Sequence, residues 1–498
     1  MADSSAAARS QVSLDRYEST FVVSLDPSQG DFTTLQTAIN ALPASGGKIF
    51  VKAGAYPLTD TIAIKMSNVQ IQGEGMGLTV LRRGFTHFRF VENLQIERVE
   101  IHDAYFTGIH LQSVRNSAIS GCYIHHINDI VPVNPPNPAN ERYGIVVGCA
   151  SQNVTINGCR FSHTRHAVTT GGSSGKNSNG VQRNIVVANC TSMLSDTAHF
   201  DTHQPAENVT FTGCAAIGGV PGDGFPATNA VVGFQMRGRN SSIVGCSVLQ
   251  AIGKGIMIFG PVSSGAVISG NMIANVKAIG QKQGNGIFFD SQGTSAHSVI
   301  GNVIKNCEGS AVRNGGSVTS AGTNNDLVIQ GNVIENVNSA IAGAAIQLDG
   351  SARVLISGNS IGASAQGSAI AMRDASDEWQ IFGNHLSAGG GVALTGVGSV
   401  VVNNLGYNPV GGISNPWPSH GADLVNNVAS GSAVPRSGIV YTVRHTPKTI
   451  AVSGGDVSQI LINGAEAGST VGTFKLGVGE TISITYNISA PAALVFAE

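Results

Sequence analysis

Apolar residues recur along this chain in short alternating runs broken by Gly and Asn, and between Ile119 and Asn404 one unit repeats: apolar-x-Gly-(Cys or Asn)-x-apolar. It reads Ile119-Ser-Gly-Cys122, Ile156-Asn-Gly-Cys159, Val187-Ala-Asn-Cys190, Phe211-Thr-Gly-Cys214 and Ile243-Val-Gly-Cys246. It continues as Ile268-Ser-Gly-Asn271, Val299-Ile-Gly-Asn302, Ile329-Gln-Gly-Asn332, Ile356-Ser-Gly-Asn359, Ile381-Phe-Gly-Asn384 and, more weakly, Val401-Val-Asn-Asn404. The interval varies from 20 residues (Asn384 to Asn404) to 37 (Cys122 to Cys159), so a fixed strand-turn unit is joined by connectors of varying length. Period-two alternation rich in Val and Ile predicts strands, and helical spacing is almost absent. A unit this small cannot bury its apolar face alone and has to stack on its neighbours. The predicted fold is all-β, a right-handed single-stranded parallel β-helix with one coil per repeat and adjacent coils about 4.8 Å apart.

The pattern changes at both ends. Residues 1–20 are small and polar and read as an arm; 21–60 read as a cap with the first strands, 61–406 as the β-helix, 407–430 as a Pro- and Gly-rich linker, and 431–498 as a small β-domain without the coil unit. Within the cap, Phe32 to Leu42 carries apolar residues at near-helical spacing, which predicts a short helix over the open end of the solenoid. An uncovered terminal coil would expose core and unpaired backbone.

Composition narrows this further. A solenoid tolerates 498 residues in one domain because each coil touches only its neighbours. Sixty-four Gly and 12% charged residues suit a fold of many tight turns. A net charge of −2 offers no basic stripe and argues against nucleic acid. No apolar run approaches a membrane span, so no membrane insertion is expected, and the Ala/Ser-rich start lacks the apolar core of a signal peptide. Five of the seven Cys fill one slot in five successive coils, which predicts stacked thiols and not disulfides or a metal. The same slot then passes to Asn, whose amides can bond from coil to coil.

A second strand in each coil shows which residues leave the core. Down the stack its outward pairs are His110 and Gln112, Val146 and Gly148, Thr169 and Gly171, Asp201 and His203, Gln235 and Arg237, Met257 and Phe259, Phe288 and Asp290, then Gln347 and Asp349, Ala371 and Arg373. The middle of this face is rich in Asp, His, Gln, Arg and aromatics, as a ligand groove would be. Asp201 and His203, two apart on one strand, share a face about 6.5–7 Å apart, and Arg237 belongs beside His203 on the next coil. Together they form a candidate catalytic cluster: Asp201 to orient His203, His203 to move a proton, Arg237 to neutralise a carboxylate. Arg165, His166, Thr169, Gln235, Arg239, Phe259, Phe288 and Asp290 are the candidate substrate contacts, with Arg165 and His166 extending a cationic wall. The bland reading, a solvated ion-pair ladder, stands beside this one. His199 reads as structural. His125 and His126 in "YIHHINDIVP" lack a third ligand nearby, so no metal is assigned, and no cofactor. The "GGSSGKN" stretch fails phosphate-loop spacing.

The cap, the "GGKIFVKAGAY" strand and the "NVQIQGEGMGLTVL" coil resemble the start of pectin-lyase-like β-helix proteins, and "TIAVSGGDVSQILINGAEAG" with "GTFKLGVGETISITYNISAP" resembles the small C-terminal β-domains of some phage tailspikes. That resemblance implies a polysaccharide depolymerase, carried on a virion or outside the cell, acting as a homotrimer on an extended glycan. The Arg and His of the groove point to an acidic glycan and to β-elimination. Glycoside hydrolysis stays open and needs a second carboxylate about 5–9.5 Å from Asp201, for which Asp196 and Asp223 are on offer. A C5-epimerase and a noncatalytic glycan-binding adhesin stay open as well.

Overall fold

The computed structural model describes residues 20–497 except 58–61, 83–85, 90, 105–106, 128–141, 172–179, 204, 219–230, 261, 281–282, 291–293, 316–324, 363, 366, 374–378, 388–390, 395–399, 403, 408–422, 426–427, 430–439, 443–447 and 488–491. The arm, the "GGSSGKN" stretch after Gly171 and Asp223 therefore lie outside the described residues. The chain forms two compact units, residues 1–251 and 252–498.

In the first unit the chain winds through three parallel sheets, one strand of each per coil. The coil carrying the first Cys unit runs from Arg115–Ser120 on the first sheet to Tyr123–His125 on the second and Tyr143–Gly148 on the third, before Gln152–Asn157 rejoins the first. Register is strict because a one-residue slip would turn every apolar side chain to solvent. Ile119 pairs with Ile156, Ile156 with Val187, Val187 with Phe211 and Phe211 with Ile243, all buried. The turn between the first two sheets demands a left-handed backbone. Gly121 and Gly158 take it (φ 57° and 62°), and where the third coil lacks Gly, Asn189 takes it (φ 52°).

The next residue of each turn points inward. Cys122, Cys159, Cys190, Cys214 and Cys246 are buried and reduced. Each thiol donates to a backbone carbonyl, as Cys190 does to Ala188 at 3.2 Å. Stacking on the preceding thiol, with burial, pushes the Cys190 and Cys214 thiols up to about 12. Cys307, in the second unit, is likewise pushed to about 12 by burial.

The unit's open end is covered by helix α1, Leu35–Ala41, the one helix among the described residues. Thr34 caps it by accepting from the Thr37 amide, and Leu35, Ala38 and Ile39 turn inward at helical spacing.

The second unit repeats the winding with Asn in the slot. Ile268, Val299, Ile329, Ile356, Ile381 and Val401 are successive register partners in the first sheet. Behind them Asn271, Asn302, Asn332, Asn359, Asn384 and Asn404 form an amide ladder, each Nδ2 donating to the next Oδ1 at 2.8–2.9 Å. The coils extend into the stretch read as a linker: Asp423–Val425 pairs with Val400–Val402, and Val428–Ala429 with Leu405–Tyr407. Two antiparallel sheets follow, closing on Ile450, Val452, Ile460, Leu476, Ile482 and Ile484.

Candidate functional site

The site is built on three neighbouring strands of the third sheet in the first unit, His166–Thr170, Ala198–Thr202 and Val232–Met236. Below them Phe200 stacks on Phe234 with ring centroids 4.9 Å apart, and Phe211 closes the cluster, fixing the strands from inside. Register sets Thr169 beside Asp201 and Asp201 beside Gln235, so the alternation read from the sequence does carry Asp201 out of the core. His203 and Arg237 come immediately after their strands. The Thr170 hydroxyl accepts from the His203 amide at 3.0 Å, and the Thr202 hydroxyl from the Arg237 amide at 2.7 Å. Sequence reasoning passed over these two threonines, although each stands in the outgoing part of a strand next to a candidate residue. At the place matching His203 one coil earlier stands Gly171 (φ 83°), where a Cβ would lie 3.1 Å from the His203 Cβ. A side chain there would crowd the imidazole.

The side chains converge on Asp201. His203 Nε2 lies 2.6 Å from Asp201 Oδ2, Arg237 Nε 3.7 Å from Oδ1, and His166 Nε2 3.7 Å from Oδ2. Arg237 Nη1 donates to His203 Nδ1 at 3.2 Å. A guanidinium can only donate, so Nδ1 holds a lone pair and the proton of neutral His203 sits on Nε2, directed at the carboxylate. Gln235, with its amide oxygen turned to Arg237, accepts from Nη2 at 2.7 Å and Nε at 2.9 Å. Burial opposes ionisation of Asp201, but His203, His166 and Arg237 outweigh it and hold the carboxyl below the usual range.

Asp201 was expected to face solvent. It is instead 0% exposed, roofed by the side chains it pairs with, while His203 and Arg237 keep 26% and 24% of their side-chain surface. Substrate can therefore meet the imidazole and the guanidinium but not the carboxylate. His166 is not part of a cationic wall. It is buried, its Nδ1–H donates to the Ala198 carbonyl at 2.8 Å, Tyr143 stacks on it, and burial pushes it down to about 4, so it is neutral. Thr169 and Gln235 are also buried; they hold Asp201 and Arg237 instead of a ligand. Arg165 is half-buried, its carbonyl accepting the Ser195 hydroxyl at 2.7 Å. Arg239 leaves the cluster and lies exposed, its backbone paired with that of Glu207 beside the first sheet. His199 turns inward to Ser192 and the Gly218 carbonyl.

Phe259 and Phe288 belong to the second unit, on strands Lys254–Phe259 and Asn285–Asp290. Lys254 Nζ lies 4.0 Å from the centre of the Phe288 ring, over one of its faces. The Asp290 side chain lies outside the described residues. Register adds Arg313 between Phe288 and Gln347, on the coil that the sequence pattern had passed over.

His166, Asp201 and His203 place one ligand atom each within 4.8 Å of one another, the one such group of three among the described residues. A metal on His203 Nε2 would require the ring proton to sit on Nδ1, where Arg237 already donates. The guanidinium also repels a cation, so this group fits a proton-transfer role better than a metal.

Coil, register and turn define a right-handed parallel β-helix protein, and residues 57–225 match the family model for the right handed β-helix region. Among characterised proteins, the chain is similar to the capsule K1-specific depolymerase of Klebsiella phage K64-1, 31% identical over 134 residues, which are 27% of this chain and 12% of that protein. Among solved structures it is similar to the A-module of Azotobacter vinelandii mannuronan C-5 epimerase AlgE4, with a TM-score of 0.43 at 13% identity over 80% of this chain and 95% of the other. It is also similar to alginate lyase AlyF-OU02, with a TM-score of 0.45 at 12% identity over 84% of this chain and 90% of the other. No helix among the described residues is long and apolar enough to cross a membrane.

Proposed function

We propose that this chain is a polysaccharide depolymerase that cleaves an extended acidic bacterial glycan by β-elimination, with Asp201, His203 and Arg237 as one catalytic unit. The observation that carries the reading is the hydrogen bond from Arg237 Nη1 to His203 Nδ1, on top of the Asp201–His203 pair. A uronate carboxylate that takes the Arg237 N–H groups frees the Nδ1 lone pair beside it. His203 then removes the proton next to the carboxylate, the C–H electrons form the C4=C5 double bond, and the C4–O bond breaks, the departing oxygen taking a proton from water. The imidazolium is stabilised through Nε2–H by Asp201, which stays ionised, while Arg237 offsets charge building on the uronate. Asp201 acts through the imidazole and is a positioning residue.

The matched segment of the phage capsule depolymerase supports a polysaccharide substrate and a place on a virion or outside the cell; the resemblance of residues 431–498 to tailspike β-domains supports a homotrimer. Light scattering should return three chain masses. Hydrolysis is less favoured because Asp196, one of the two further carboxylates, is tied to Arg142 and Thr197. The reading is tested by incubating the protein with a panel of acidic bacterial polysaccharides and following chain length by size-exclusion chromatography. Shortened chains are expected for at least one. Unchanged length with inverted uronate signals by NMR would make it an epimerase, and binding with no chemical change an adhesin.

A further inference from the structure

A second group of titratable side chains lies on the second sheet of the first unit. Successive coils place His102 beside His125 in register, and the turn residues His126 and His163 follow their strands, both with left-handed backbone (φ 50°). His125 is clamped between two rings, Tyr123 at 4.1 Å and His102 at 5.1 Å. His126 stands across it at 81° and stacks on His163 at 4.3 Å. The two consecutive imidazoles point their Nδ1 atoms at each other, 2.7 Å apart.

The outer contacts decide what those nitrogens carry. His125 Nε2 lies 3.2 Å from Glu100 Oε1, and a carboxylate can only accept, so the His125 proton is on Nε2 and its Nδ1 is a lone pair. A carboxylate behind an imidazole, fixing its tautomer and ring orientation, is the arrangement that supports a metal-bound histidine. His126 Nδ1 donates to His125; moving that one proton to the far nitrogen of its own ring leaves two lone pairs converging. Two nitrogens about 2.0–2.1 Å from a shared ion stand roughly 2.9–3.4 Å apart, so the pair need open by only a few tenths of an ångström. The charged partners here are Glu100 on His125 and Asp103 on His102 at 2.7 Å, both anionic. The Asp201 cluster has Arg237 in the corresponding role.

We propose that His125 and His126 form a binding site for a borderline divalent transition ion of the Zn2+ type, through their Nδ1 atoms, with Glu100 as the supporting carboxylate and water completing the coordination. The site is on another sheet from the Asp201 cluster and does not depend on the reaction assigned to that cluster.

The test is isothermal titration of the full chain with Zn2+, paired with thermal melting in its presence. One Zn2+ per chain should bind the parent and raise its midpoint. His126→Asn, which keeps a residue suited to the left-handed turn, should abolish both signals, and Glu100→Gln should weaken binding about 10- to 100-fold. His203→Ala should bind as the parent does. No binding at millimolar Zn2+, undiminished binding in a His125→Ala/His126→Asn double variant, or loss of binding in His203→Ala would each overturn the proposal.

Discussion

Two clusters in the first unit use the same residue types and arrive at opposite electrostatics. Around Asp201 a carboxylate is sealed beneath two imidazoles and a guanidinium; around His125 the rings of His125 and His126 lie half-buried and that of His102 buried, backed by Glu100 and Asp103. The countercharge separates them. Arg237 fixes His203 with its lone pair toward the guanidinium and its proton toward Asp201, the tautomer a general base needs. Glu100 fixes His125 with its lone pair toward a second imidazole, the tautomer a chelate would need on this ring. Imidazoles alone do not determine a site's chemistry; the group behind each ring does.

The largest effect that would break this contrast is at Asp201. Asp201→Ala should lower turnover by at least about a hundredfold, the size of an acid-base contribution. It should also destabilise the fold by about 3–5 kcal/mol, because a buried partner of His203 and Arg237 is removed. Chemical denaturation with an unmoved midpoint would show that the carboxylate is not held as described.

Next in size is the response to acid. Buried His166 and His199 accept a proton at about 4 in the folded state against 6.5 ordinarily, so between these values the unfolded chain binds more protons. Stability should be full above pH 6.5, fall as pH drops from 6.5 to 4, and level off below; the ceiling is on the order of 3 kcal/mol for each ring. Denaturant midpoints across that window should fall less steeply in His166→Gln. Equal slopes would mean His166 is not buried neutral.

The smallest effect sharpens the contrast between two arginines two residues apart. Arg237→Lys removes the planar fork shared by His203 and Gln235 and should lower kcat. Arg239→Ala, exposed, should leave turnover near that of the parent and stability within about 0.5 kcal/mol. Equal losses in the two variants would put the cationic contact in the wrong place.

How much of this was legible depends on what periodicity encodes. The inside-outside order along Thr169, Asp201 and Gln235 follows from period-two alternation, and the three strands pair in that register. The Gly-Cys and Gly-Asn units fixed the coil turn and its inward stack in the same way. Alternation gives the side of a sheet that a residue leaves by, but not what then covers it. Asp201 points outward and is still sealed, because the long side chains of His203 and Arg237 fold back over it. The His102, His125, His126 and His163 group was hidden for another reason: its members come from three coils separated by connectors of unequal length, and only stacking aligns them. Arg313 was missed because its coil lacks an alternating strand long enough to count.

The most direct measurement is the initial rate of ultraviolet absorbance from the conjugated double bond on a cleaved acidic glycan, compared between the parent chain and His203→Ala. His203 is partly exposed, so its fold should survive the change. The parent should generate absorbance as chains shorten, and His203→Ala should do so at least about a hundredfold more slowly. Chain shortening without absorbance, or equal rates in the two proteins, would contradict elimination at this cluster.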